Sequence, residues 1–168
     1  MMLLGEKGGA SDCGEAVVRT PAMMEGYYER PDLTREVLQD GWLRTGDVFA
    51  RDEQGLYYFK ARVKDVIKTG GENVYASEVQ AVILSHPEVQ DCVVKGVPDL
   101  VWGEAVAAIV QPMKGSALSP KAIQDFCKRH LASYKKPQKI GLVDDLGRDE
   151  SGKVGADRMN ELFSLAES

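Results

Sequence analysis

Residues Lys60 to Glu78 read KARVKDVIKTGGENVYASE, and the centre of that stretch constrains most of the fold. Asp65-Val66-Ile67-Lys68 and Asn73-Val74-Tyr75 are short β-rich runs, with Thr69-Gly70-Gly71-Glu72 between them. Glycine tolerates the positive φ that a tight hairpin turn demands, so the two runs are predicted to pair across Gly70-Gly71. A helix is predicted next, with Ser77 as N-cap and Val79, Val82 and Ile83 on one face. To the left of this stretch the chain reads as strands and turns without a helix face. To its right it reads as a complete small α/β unit. The stretch is therefore a junction.

Past the junction the signals are regular. Pro87 ends the first helix. Val89–Val97 and Glu104–Gln111 are apolar, strand-like runs separated by a predicted turn at Pro98-Asp99 and by Trp102-Gly103. Ser119-Pro120 places Ser at a cap and Pro at the first helical position, and Ile123, Phe126, Cys127 and Leu131 repeat at helical spacing. Lys139–Val143 is a last strand, and Ala156–Leu165 a terminal helix. The order β-β-α-β-β-α-β-α predicts an α+β fold, with helices covering a small, mainly antiparallel sheet.

Before the junction the pattern is thinner. Gly5–Gly14 reads as a loop, Glu15–Arg19 as a short strand, and Leu33–Leu38 as one helical turn. Val48-Phe49-Ala50 and Leu56–Lys60 form a hairpin around Arg51–Gly55. A unit of this size buries only about 60% of its unfolded surface and is marginal alone. The predicted division is a β-rich, incomplete subdomain over 1–63 and an α+β lid over 64–168. The first is expected to need a separate N-terminal domain or a second copy of the chain.

Composition narrows the function. The net charge of −5 argues against general nucleic-acid binding. The apolar runs are far shorter than the ~20 residues of a membrane span, and Met1–Leu4 is too short for the apolar core of a signal peptide. The three cysteines, Cys13, Cys92 and Cys127, are odd in number and lack metal-ligand spacing, so neither a disulfide framework nor a metal site is expected. These bounds predict a soluble, cytoplasmic protein with reduced thiols.

Several residues have both a structural and a chemical reading. A carboxylate just after Gly46 suits a vicinal diol such as a ribose, because Asp47 can accept two hydrogen bonds at once. Gly46-Asp47 also suits a simple turn. Arg62, Lys64 and Asp65 at the junction are either solvated charges or, for Lys64, a hinge. Gly70-Gly71 is a turn, or a backbone that a ligand approaches closely. Lys153 ends the polar run Asp149-Glu150-Ser151-Gly152-Lys153; it is an exposed loop lysine or a point charge delivered to a phosphate or carboxylate. It is not a Walker lysine, because Val154 follows it. His86 and His130 sit at helix ends and suit capping roles.

These pieces, in this order, resemble the adenylate-forming enzymes: acyl-CoA synthetases, aryl-CoA ligases, luciferases and peptide-synthetase adenylation domains. The resemblance runs through Gly14–Arg19, Met24–Tyr28, Asp40–Asp47, Arg62–Tyr75, Glu78-Val79, Gly96–Asp99, Trp102–Glu104, Tyr134–Pro137 and Ser151–Lys153. The Gly70–Tyr75 form looks most like acyl- or aryl-CoA ligases, and the chain resembles the C-terminal part of an AMP-binding acyl-CoA ligase, with fatty acid metabolism as the implied setting. The resemblance implies carboxylate, ATP with Mg2+, and coenzyme A as reactants of the full enzyme, passing through an acyl-adenylate. It implies that Asp47 and Arg62 bind the nucleotide and that Lys64 is the hinge. Lys153 would act in adenylation, and Gly70, Gly71 and Glu72 would line the coenzyme A channel.

The family's Ser/Thr/Gly-rich phosphate loop has no counterpart in these residues, so the chain alone is expected to be inactive. Gly147 and Gly155 predict a loose loop on both sides of Lys153, and Ala61 replaces a usual Gly. The alternative is a stand-alone, non-catalytic, lid-like module that binds a partner protein or a nucleotide.

Overall fold

The computed structural model describes residues 1–5 and 8–165, and the chain divides between Lys64 and Asp65 into units Met1–Lys64 and Asp65–Ser168. The first unit contains β1 (Met2–Leu4), β2 (Cys13–Val18), helix α1 (Pro31–Val37), β3 (Leu38–Gln39), β4 (Trp42–Arg51) and β5 (Tyr57–Arg62). Its antiparallel sheet has the order β1-β2-β4-β3, with β5 also pairing β4. The sequence suggests fewer strands than this. Met2–Leu4 and Leu38–Gln39 are too short to carry a periodic signal. They become strands because β2 and β4 offer free edges for pairing. Leu3, Ala16, Val17, Val48 and Ala61 are buried, while Tyr57, Tyr58 and Phe59 of β5 are exposed.

The second unit follows the expected order. It contains β6 (Val66–Thr69), β7 (Glu72–Tyr75), α2 (Ala76–Leu84), β8 (Val89–Asp99), β9 (Gly103–Pro112), α3 (Pro120–His130), β10 (Lys139–Leu142) and α4 (Ala156–Leu165). Gly70 and Gly71 take φ of +59° and +83° between β6 and β7, as the two-residue hairpin requires. β8 pairs antiparallel along β9 on one edge. β10 pairs parallel and β6 antiparallel with β9, so the sheet is mainly antiparallel.

β9 is the spine of this unit. Its Ala105–Val110 run is buried on both faces, which is why it reads as continuous apolar sequence without alternation. Val106, Ala108 and Val110 join Cys92, Val94, Val79, Ile83, Ile123 and Cys127 under α2 and α3. Ala105, Ala107 and Ile109 join Val93, Val97, Leu146, Leu162 and Phe163 under α4. Burying a side chain such as Leu162 or Phe163 contributes about 1.5–3 kcal/mol.

Two local expectations are corrected. Ser77 is not an N-cap: β7 runs straight into α2, Tyr75 occupies the cap position, and its side chain makes no capping bond. Pro98 and Asp99 are not the turn between β8 and β9. Both are paired in β8, and the reversal lies at Leu100–Trp102, ending at the expected Trp102-Gly103; there Asp99 Oδ1 accepts from Val101 N at 2.9 Å and Trp102 N at 3.0 Å. By contrast, Ser119 caps α3 as expected, accepting from Ala122 N at 3.2 Å. No helix among the described residues is long and apolar enough to cross a membrane.

Candidate functional site

In the first unit the site is built on a strand irregularity. Glu15 pairs with Val48 and Val17 with Arg44, so Thr45, Gly46 and Asp47 of β4 stand opposite Ala16 alone. The extra residues bulge out, and Gly46 bends the strand at φ +71°. Bulges of this kind re-aim side chains beside functional sites. Glu15 secures the bulge: it is 8% exposed, its Oε1 accepts from Gly46 N at 3.1 Å, and its Oε2 pairs with Arg44. Thr45 Oγ1 donates to Ala16 O at 2.8 Å and accepts from Asp47 N at 3.1 Å.

Asp47, thus placed, lies opposite Arg62 on β5. Arg62 Nε is 2.9 Å from Asp47 Oδ1, yet that buried oxygen accepts no hydrogen bond of proper direction. The contact is Coulombic rather than a formed hydrogen bond, and the acceptor retains unused capacity. The structure therefore brings Asp47 and Arg62 together, as chemistry at one site needs. Sequence reading passes over Glu15. Its only signal is a carboxylate inside an otherwise apolar strand.

Lys64 lies in the 3₁₀ turn Val63–Asp65 where the two units divide, and is exposed. In the second unit, Gly70 and Gly71 form the exposed β6–β7 turn, and Glu72 begins β7 opposite Thr69. Trp102 lies over Gly70: a Cβ there would stand 2.7 Å from Trp102 Cε3, and Gly70 N donates to Trp102 O at 2.9 Å. The turn thus needs glycine for space as well as for φ.

Lys153 is exposed, but its loop is not loose, contrary to what Gly147 and Gly155 suggest. Asp149 Oδ1 accepts from Ser151 N, Ser151 Oγ and Lys153 N at 2.9, 2.7 and 3.0 Å. Asp149 N donates to Lys153 O at 2.8 Å. The Ser151 hydroxyl bond, followed by the Lys153 amide, holds the Asp149 carboxyl below its ordinary value. Arg148 grips Asp91 of β8 with two donors, Nε to Oδ2 at 2.5 Å and Nη2 to Oδ1 at 2.8 Å. Among the described residues, no carboxylate lies within ion-pair distance of the Lys153 ammonium.

The Gly70-Gly71 turn and the Lys153 loop occupy opposite ends of β9. Thr69 pairs with Gly103 at its start, whereas Asp91, gripped by Arg148, pairs with Gln111 near its end. At about 3.3 Å per residue the two ends are roughly 25 Å apart. Burial pushes the Cys92 thiol up to about 12 and Cys127 up to about 11, which removes both as nucleophiles. Among the described residues, no group of His, Cys, Asp and Glu is placed to hold a metal ion. A shallow depression lined by Tyr27, Tyr28, Pro31 and Arg35 includes none of the candidate residues.

Residues 78–153, from α2 to the Lys153 loop, match the AMP-binding enzyme C-terminal domain family. The chain belongs with the C-terminal part of adenylate-forming enzymes, and its relatives include 2-succinylbenzoate–CoA, long-chain-fatty-acid–CoA and fatty acid–acyl-carrier-protein ligases. The 2-succinylbenzoate–CoA ligase of Geobacillus kaustophilus is 38% identical over 163 residues, covering 97% of this chain and 33% of that protein. ATP-bound MatB from Rhodopseudomonas palustris superposes with a TM-score of 0.85 at 33% identity, over 96% of this chain and 33% of MatB. The o-succinylbenzoate CoA synthetase MenE from Bacillus subtilis, in complex with its acyl-adenylate intermediate, superposes with a TM-score of 0.81 at 34% identity, over 95% of this chain and 33% of MenE. The chain thus spans about a third of the length of the relatives it matches.

Proposed function

We propose that this chain supplies the ribose-binding carboxylate, the hinge and the lid of an ATP-dependent acid–thiol ligase. In the first step a carboxylate oxygen attacks the α-phosphorus of ATP, and pyrophosphate leaves to give an acyl-adenylate. In the second, the thiol of coenzyme A attacks the acyl carbon, forming the thioester and releasing AMP and the thiol proton. Asp47 accepts hydrogen bonds from the ribose hydroxyls through the part of its carboxylate that remains accessible, the side chain being 27% exposed. Arg62 holds Asp47 from the adjacent strand and supports the nucleotide. Lys153 places its ammonium between the attacking carboxylate and the α-phosphate, offsetting their mutual repulsion in the first step. Gly70, Gly71 and Glu72 line the path of the thiol in the second, and Lys64 turns the lid between the two.

The observation that carries this reading is the separation of the two lid features along β9, in a chain whose relatives are adenylate-forming ligases. Features roughly 25 Å apart on one packed sheet cannot serve one reacting centre together. Rotation at Lys64 lets each serve it in turn.

The test is carboxylate-dependent exchange of labelled pyrophosphate into ATP. The chain alone is expected to give none, because the leaving group needs a phosphate-binding loop that these residues do not provide. Joining the chain to the N-terminal domain of a relative should restore exchange. Lys153→Ala in that ligase should then lower adenylation by about 100- to 1,000-fold, the usual effect of removing one electrostatic stabiliser. Thioester formation from supplied acyl-adenylate should persist. No exchange after joining, or no effect of Lys153→Ala, would rule this reading out.

A further inference from the structure

Among the described residues the Lys153 side chain has no ion-pair partner, while its backbone is held from within its loop by Asp149 and, through Arg148, from outside it. The Gly152–Lys153 peptide is fixed at both of its polar atoms. Its amide N–H donates to Asp149 Oδ1 at 3.0 Å, and its carbonyl, that of Gly152, accepts from Arg148 Nη1 at 2.8 Å. Lys153 O, on the following peptide, accepts from Asp149 N at 2.8 Å, so the backbone is fixed on both sides of Lys153 Cα and with it the direction in which Cα–Cβ departs. Arg148 is itself immobilised by Asp91, through Nε to Oδ2 at 2.5 Å and Nη2 to Oδ1 at 2.8 Å, with a weaker contact from Nη2 to Cys92 O at 3.4 Å. Asp91 stands on β8, paired with Gln111 of β9. Gln111 Oε1 accepts from Leu146 N at 3.1 Å, so the start of the loop is tied to the same place. Leu146 is completely buried beneath it.

We infer that Asp91 and Arg148 are positioning residues that aim Lys153, coupling the direction of its ammonium to the spine of the lid. The inference rests on the adenylating role proposed for Lys153 and adds to it a requirement for arginine geometry. One planar guanidinium fork spans a carboxylate and a carbonyl at once, whereas a lysine ammonium supplies equal charge without that geometry. Flanking glycines would leave the reacting lysine sampling many directions. The guanidinium removes that freedom, and misplacement by about 1 Å is enough to cost 100-fold in rate. An arginine acting directly on phosphate would have no need of Asp91, which occupies two of its donors.

The first test uses the chain as it is. In Arg148→Lys and in Asp91→Ala, amide hydrogen exchange at Lys153 should accelerate at least tenfold, while amides of β9 remain protected. The second uses the ligase joined to a relative's N-terminal domain. Both variants should lower the adenylation kcat by 10- to 100-fold, leave KM for ATP within twofold, and leave thioester formation from supplied acyl-adenylate unchanged. The double variant should be no worse than either single one. Unchanged exchange at Lys153, equal loss of both half-reactions, or faster adenylation in Asp91→Ala would each overturn the inference. A silent Arg148→Lys beside a damaging Lys153→Ala would remove this inference and leave the ligase reading intact. A silent Lys153→Ala would remove the ligase reading itself.

Discussion

Arg62 Nε stands 2.9 Å from Asp47 Oδ1 across β4 and β5, yet that oxygen accepts no directed hydrogen bond. The Arg62 side chain is 55% exposed, so the pair contributes at most ~1 kcal/mol to stability. Asp47→Ala should therefore leave the thermal midpoint of the chain nearly unchanged. In the joined ligase it should raise KM for ATP by about tenfold or more, in line with the ~1.5–3 kcal/mol of a charged hydrogen bond. With 2′,3′-dideoxy-ATP the variant and the parent should match. A penalty that persists with the dideoxy nucleotide would show that Asp47 does not read the ribose.

Glu15 is expected to behave in the opposite manner. It holds Arg44 and the Gly46 amide from a buried position. Replacing it with Ala leaves that amide without its acceptor, a loss of about 1–3 kcal/mol. Urea denaturation of Glu15→Ala should show a lower midpoint for the first unit, with Glu15→Gln intermediate because it retains one acceptor. An unchanged midpoint in Glu15→Ala would show that the bulge stands without it.

The two glycines of the β6–β7 turn should differ in their tolerance. At Gly71 (φ +83°) a Cβ meets nothing within 4 Å, so alanine adds only backbone strain of about 1–2 kcal/mol. At Gly70 (φ +59°) a Cβ would also collide with Trp102, 2.7 Å from Cε3. Gly70→Ala should lower stability more than Gly71→Ala and shift the Trp102 fluorescence, which Gly71→Ala should not do. In the joined ligase, both should slow thioester formation more than adenylation.

The lysine loop should loosen in acid. The hydrogen bond from Arg148 holds the Asp91 carboxyl below its ordinary value of 3.8, against the opposing effect of burial. A carboxylate whose folded pKa is lowered contributes stability that is fully present above its unfolded value and is lost as pH falls through the folded one. The Arg148 Nε–H resonance should stay sharp and protected from neutral pH down to about 4, the unfolded aspartate value. It should be lost at lower pH, and in Asp91→Asn it should be exchange-broadened already at pH 7. Loss of the resonance in the parent chain between pH 7 and 5 would contradict the pairing.

Much of the second unit is legible in sequence because its signals are local. Gly70-Gly71 marks a hairpin through φ alone, and Ser119-Pro120 marks a helix start through one cap and one ring. Ala105–Val110 marks a strand buried on both faces. The family resemblance is legible for the same reason, since its motifs are short runs in fixed order. Ser77 misleads because a strand passing directly into a helix leaves no loop for a cap. Gly147 and Gly155 mislead because local glycine says nothing of an arginine anchored elsewhere.

By itself, then, the sequence determined the order of elements in the lid, its hairpin turn and the candidate residues proposed to carry chemistry. Only the tertiary structure decided how those residues are held. Arg148 meets Asp91 from 57 positions away, and Glu15 meets Gly46 from 31. Which face of β9 each helix covers is likewise fixed by the assembled sheet, whose two buried faces are almost equally apolar. Hydrogen-bond partners brought together by folding leave no periodic trace in the chain, because each depends on a backbone position that exists only once the sheet has formed.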